Sequence, residues 1–183
     1  MFYKTNHYTM KTLKKVLLIL AIIIAIPLIA ALFVKREFTS ERQITINKPK
    51  QEVFDYIKHL NNQQNYDTWH KMDPAAKTTT RGTDGTVGFV YAWDGEEIGK
   101  GEQEITNIVE GERMDTQLRF QEPFESEAAC YMLTEAQGES QTVVKWGISG
   151  KSPYPLNLMS LFFDMGDSFE EGLESLKTIL ENQ

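Results

Sequence analysis

Cysteine is almost missing from this chain. Cys130 stands alone, which excludes an intrachain disulfide and a cysteine-rich metal site. Histidine is scarce: His7, His59 and His70 are the whole set, and no pair has the H-x-x-x-H spacing of a helical metal site, so no metal is expected. The local signatures of catalysis are also lacking. Gly147-Ile148-Ser149-Gly150 does not have the G-x-S-x-G spacing of a nucleophile elbow and follows a hairpin pattern. Gly82, Gly85 and Gly88 are followed by neither a Lys-Ser/Thr pair nor a helix, so they read as turn glycines and not as a phosphate loop. The sequence therefore names no catalytic residue and no cofactor.

Acidic residues are absent from the first 34 positions. The formal charge of −7 hides a split: residues 35–183 hold 15 of the 19 Lys and Arg and all 26 Asp and Glu, a net −11. A body this acidic excludes nucleic acid as a partner and is poorly suited to an anionic membrane surface. What fills the N-terminus instead is an apolar run. Residues 16–34, VLLILAIIIAIPLIAALFV, are 19 uncharged positions that span roughly 28 Å as a helix, close to a bilayer core. A cleaved signal peptide is the plainer alternative. The run exceeds a usual signal core, and no clean small-x-small site precedes Lys35, Ile29-Ala30-Ala31 being a weak candidate. The expected division is a tail over 1–15, a single membrane-spanning helix over 16–34 and one domain over 37–183. Lys11, Lys14 and Lys15 ahead of the span favour an extracytoplasmic body, against Lys35 and Arg36 behind it.

The body alternates between strand and helix patterns. Residues 38–46 read as a strand; residues 49–60, opening on Pro49 and carrying Val53, Phe54, Ile57 and Leu60, read as a helix. A polar loop with a short helix ends near Trp69. Strand patterns follow at 77–81, 87–93, 99–109, 114–120, 126–136 and 142–149, with Asp84-Gly85, Asp94-Gly95, Glu110-Gly111 and Gln137-Gly138 as turns. Residues 154–180 carry Leu158, Phe162, Met165, Phe169, Leu173, Leu176 and Leu180 at steps of three and four, the stripe of one long amphipathic helix. The expected fold class is α+β: a curved antiparallel sheet of about six to seven strands closed by a long C-terminal helix, behind the N-terminal transmembrane helix.

Phe89, Tyr91, Trp93, Phe120, Met132, Trp146, Phe162, Met165 and Phe169 form an aromatic and soft set between sheet and helix. The pattern fits a filled core and a cavity wall equally well. Tyr91, Trp93, Gln103, Thr116 and Thr134 bring polar groups to the inner face. Cys130 shares its face with Met132 and reads as small apolar packing. Glu102 and Glu104 share the opposite, solvated face, which argues against acid–base roles. His59, at a helix end, and His70, after Trp69, read as surface histidines.

Five stretches carry a resemblance to a known family: I-x-I-N-K-P-K-x-E-V-F at 44–54, the Trp69 region, R-G-T-D-G-T-V-G-F at 81–89, V-K-W-G-x-S-G at 144–150 and G-L-x-x-L-K at 172–177. Over residues 38–180 the chain resembles the START / Bet v 1-like superfamily with the helix-grip fold, in its bacterial SRPBCC branch of polyketide cyclase/dehydrase-like proteins. That resemblance implies a cavity and adds Trp69 to its wall. Taken with the apolar N-terminal run, it leads to the expectation of a membrane-anchored protein that binds a small hydrophobic ligand, such as a lipid, isoprenoid or polyketide-like molecule. The alternatives are a cyclase-, dehydrase- or hydrolase-like enzyme using Tyr91, Gln103 and His70, and a partner-binding module.

Overall fold

The computed structural model describes residues 7–162 and 165–183, with side chains from Met10 onward. Residues 1–6, the His7 side chain and residues 163–164 of the expected closing helix lie outside the described residues.

The apolar run forms α1 (His7–Ala31), with Pro27 inside it. Its stretch Met10–Ala31 is long and apolar enough to cross a membrane, and none of that window is buried against the body. The helix stops at Ala31 rather than at Val34, in a turn closed by Leu32 N–H to the Ile29 carbonyl and Phe33 N–H to that of Ala30.

Seven strands then make one antiparallel sheet in the order β1-β7-β6-β5-β4-β3-β2. They are β1 (Glu37–Ile46), β2 (Lys77–Arg81), β3 (Val90–Gly95), β4 (Gly99–Val109), β5 (Arg113–Glu122), β6 (Ser126–Ala136) and β7 (Thr142–Lys151). Hairpins join β2 to β7 in sequence, while β1 pairs with β7 in a register running from Glu37 opposite Lys151 to Ile46 opposite Thr142. The two-residue alternation decides which face is inside. Ala128, Cys130, Met132 and Thr134 of β6, and Val144, Trp146 and Ile148 of β7, are all buried. Register shifts at Lys100/Gly101 and Ile105/Asn107 mark bulges between β4 and β5, the kind of feature that bends a sheet.

Three short helices cross between β1 and β2. The first, α2 (Lys50–Ile57), buries Val53, Phe54 and Ile57; α3 (Leu60–Gln63) and α4 (Thr68–Met72) follow. The strand expected from Val87 begins only at Val90, and Asp84-Gly85 is not a tight hairpin. Residues 82–89 are a longer link because the Asp84 carboxylate serves elsewhere. It accepts a hydrogen bond from Leu60 N at 2.9 Å and so caps α3.

The closing element is two pieces. A 3-10 helix (Leu156–Leu161) precedes α5 (Met165–Glu181). A 3-10 turn advances about 120° per residue, so the stripe expected from α-helical spacing loses its phase there. Leu158 is half-buried, but Phe162 lies 77 % exposed, off the inner face. From Phe169 onward the stripe holds. Phe169, Leu173, Leu176 and Leu180 are each at most 1 % exposed. Their burial contributes roughly 6–12 kcal/mol gross at about 1.5–3 kcal/mol each, so this half of α5 is a fixed wall. Phe169 stacks on Trp146 with ring centroids 4.7 Å apart.

Candidate functional site

The interior between sheet and helices is not filled throughout. A cavity is lined by Leu60, Gln63, Asp67, Trp69, His70, Tyr91, Trp93, Ile98, Gln103, Leu118, Phe120, Cys130, Trp146, Ile148, Met165 and Phe169. Buried Cys130, Trp146, Ile148, Gln103 and Phe169 make its floor; half-buried Gln63, His70, Trp93, Ile98 and Met165 make its rim. The centre of a water-sized molecule can occupy about 80 Å³, within a hollow of about 690 Å³ of non-atom space. A second recess, bordered by Glu41, Arg42, Glu170 and Glu174 between β1 and α5, is lined mainly by charged or polar groups and does not suit an apolar ligand.

Of the residues expected to face a cavity, Trp69, Tyr91, Trp93, Gln103, Phe120, Trp146, Met165 and Phe169 do line it. Four do not. Phe89, just ahead of β3, is buried in a cluster with Leu60, Tyr91, Ile105 and Met114 and is not among the residues lining the cavity. Thr116 lies behind Gln103 and accepts its amide N–H at 2.9 Å. Met132 lies beneath Tyr66, whose hydroxyl donates to its sulfur at 3.5 Å. Phe162 is displaced to the surface by the 3-10 segment. The Thr134 hydroxyl also turns away, donating to the Gly111 carbonyl at 3.0 Å. Among the expected set, then, the polar side chains that line the cavity outside the indoles are Tyr91 and Gln103.

His70 is not a surface histidine. Its ring lines the cavity, with its side chain 19 % exposed, between two partners. Nδ1 lies 2.9 and 2.7 Å from the two oxygens of the Asp67 carboxylate, and Nε2 lies 2.8 Å from the Tyr91 hydroxyl. Asp67, itself 1 % exposed, is the N-cap of α4 and accepts the His70 backbone N–H at 2.8 Å. The local sequence explains the pairing: a capping Asp three positions before a His puts both side chains over one turn. That D-x-x-H step was present in the sequence, but nothing in it pointed the pair inward. The packing of Trp69 against Trp146 and Phe169, at 6.1 and 5.9 Å, turns α4 so that it does.

A carboxylate facing Nδ1 places the proton there, which leaves Nε2 to accept the Tyr91 hydroxyl. Burial holds the Tyr91 phenol above the usual tyrosine range; a Thr78 hydrogen bond opposes this and the Asp67 charge adds to it. Burial pushes the Cys130 thiol up to about 12, with hydrogen bonds from Trp146, Tyr131 and Thr116 working against it. Cys130 is therefore a neutral wall group and not a nucleophile. Outside, Glu102 and Glu104 pair with Arg119 at 2.9 and 2.6 Å on the solvated face.

No family model and no curated protein matches the chain. Solved structures do. Norcoclaurine synthase from Thalictrum flavum, in complex with dopamine and hydroxybenzaldehyde, is 9 % identical with a TM-score of 0.63, over 82 % of this chain and 90 % of that one. Ara h 8.0201 is 17 % identical at TM-score 0.56, over 80 % and 99 %. The protein XoxI from Bacillus cereus is 14 % identical at TM-score 0.56, over 79 % and 96 %. With one antiparallel sheet wrapped on a C-terminal helix, and these structures alike across the whole body, the chain has the Bet v 1-like helix-grip fold.

Proposed function

We propose that this is a membrane-tethered binding protein that holds a compact hydrophobic molecule between the sheet and α5. The cavity carries this reading: its wall is aromatic and aliphatic, with a few converging polar groups at one side, which is how small-molecule sites are built. Size narrows the ligand. At about 10–15 Å³ per water-sized site, the free space holds roughly five to eight such sites. That is room for one or two rings or a short branched chain, and not for a whole lipid. The synthase of like fold was solved with dopamine and hydroxybenzaldehyde, both single-ring compounds.

The tether is the helix α1, spanning the bilayer with the body on the extracytoplasmic side as the lysine asymmetry favours. The body grips the end of that helix. Buried Asn157 donates to the Ala31 and Val34 carbonyls at 2.7 and 2.9 Å, and the Tyr154 hydroxyl to that of Leu28 at 3.0 Å. Leu32, Phe33, Met159, Leu161 and Phe162 lie exposed in the chain flanking this joint, as interfacial anchors do.

Tryptophan fluorescence tests the cavity, because all three tryptophans, Trp69, Trp93 and Trp146, line it. Full-length protein in lipid nanodiscs, titrated with 2-bromonaphthalene, is expected to show saturable quenching. A cavity-filling Leu118→Phe/Ile148→Phe variant weakens that binding by about tenfold or more. Linear quenching of equal size in both proteins would mean partition into lipid alone and would remove the reading.

A further inference from the structure

The geometry points to a proton-transfer centre in this cavity: Tyr91, backed by His70 and Asp67, exchanges a proton with the bound molecule, making the protein an acid–base catalyst for a compact apolar carbonyl compound. This rests on the cavity reading and adds a reaction to it. The three groups form one hydrogen-bonded line, Asp67 carboxylate to His70 Nδ1 at 2.7 Å and His70 Nε2 to Tyr91 Oη at 2.8 Å, ending at a residue of the cavity wall. An exposed pair of this kind would be solvated decoration. Here Asp67 is 1 % and Tyr91 5 % exposed, and the His70 side chain between them is 19 % exposed, so both ends of the line are buried.

The tautomer follows from the carboxylate. With the proton on Nδ1, His70 accepts the Tyr91 O–H at Nε2, and the phenol oxygen, which already meets the Thr78 hydrogen bond, keeps one lone pair for the ligand. A C–H beside a carbonyl then loses its proton to Tyr91 Oη as the phenol proton passes to Nε2. The C–H bond breaks, its electron pair becomes the enolate, and the imidazolium formed sits against Asp67. Return of the proton at another atom completes an isomerisation, or expels a β-hydroxyl as water. Every proton is accounted for and no oxidant or reductant is required. The carbonyl oxygen has a partner as well. Gln103 stands directly across from Tyr91 in the β3–β4 register, faces the cavity, and among the described residues its amide bonds the Thr116 hydroxyl. In either orientation of that amide, at least one amide hydrogen remains for a ligand oxygen. Tyr91 and His70 are the catalytic residues; Asp67 is a positioning residue that fixes the His70 tautomer.

The test uses 5-nitrobenzisoxazole, a two-ring carbon acid whose ring opens to a coloured phenolate when a base takes its C3 proton. Full-length protein in nanodiscs is compared with empty nanodiscs. Expected is saturable turnover, with kcat lowered about 100-fold in Tyr91→Phe and in His70→Gln. The melting midpoint of both variants remains within a few degrees of the parent. Asp67→Asn lowers kcat while KM holds, which a merely structural role would not produce. Turnover equal in Tyr91→Phe and the parent, or none above empty nanodiscs while 2-bromonaphthalene still binds, overturns the centre and leaves the cavity standing. Loss of 2-bromonaphthalene binding in the parent overturns both.

Discussion

A single buried thiol can be read through its titration. Cys130 is held near 12 against an ordinary value of 9.0, chiefly by burial. The folded state therefore keeps a proton that the unfolded chain loses. The stability this contributes is full below about pH 9 and falls as pH rises toward about 12. Tyr66, Tyr91 and Tyr131 are shifted upward too, so they steepen the same decline. Thermal unfolding followed from about pH 8 to about 11 should show the midpoint falling, and falling less steeply in Cys130→Ala; equal slopes would mean the thiol is not desolvated as described. Gly172 is the other telling residue. A Cβ there would meet Cζ3 of Trp146 at 2.8 Å, closer than packing tolerates. Gly172→Leu must push the indole off Phe169 toward the cavity, which predicts a loss of about 1–3 kcal/mol in stability and weaker quenching by 2-bromonaphthalene. Unchanged values for both would show that α5 yields instead of Trp146.

Elements differ in how much of themselves they announce. The sheet was legible because alternation is a local rule: Gln103 and Ile105 turn in, Glu102 and Glu104 turn out, and the structure keeps them so. The C-terminal half of α5 was legible for the same reason at helical spacing. The start of that stretch was not, because a stripe read from Leu158 assumes one helix type throughout, and a 3-10 segment bonded to α1 through Asn157 stands there instead. The Asp84-Gly85 pair looked like a hairpin because its service to α3, 24 residues away, is a tertiary fact. The site divided likewise. Aromatic wall residues on strands were found by their period. Asp67 and His70 sit on a five-residue helix whose facing is set by Trp69 packing, and no period exists over five residues. The joint between α1 and the 3-10 helix makes its own prediction. Asn157→Ala removes both hydrogen bonds to the Ala31 and Val34 carbonyls. Trypsin should then cut after Lys35 or Arg36 several-fold faster in nanodiscs, at little change in the melting of the sheet. An unaltered cleavage rate would mean the joint is held by other contacts.

At the scale of the whole molecule, the proposed tether would bring two solvents together. An acidic body at −11 resists adsorption to an anionic surface, so under the proposed tether the grip on α1, and not charge, would keep the body at the bilayer. That grip has a thermodynamic consequence. Exposed Phe162 and the cavity-rim residue Met165 are three residues apart, at most about 11 Å along the chain. With α1 in a bilayer as proposed, a molecule leaving the rim would meet acyl chains almost as soon as it met water. For an apolar ligand the relevant exchange is then between two oily phases, one a lipid leaflet and one a protein interior. Occupancy follows the ligand's mole fraction in the leaflet rather than its aqueous concentration. Most of the hydrophobic driving force is the same on both sides and cancels. What distinguishes a good ligand from a bystander is the small remainder: ring fit against Trp146 and Phe169, and one oxygen placed for Gln103 and Tyr91.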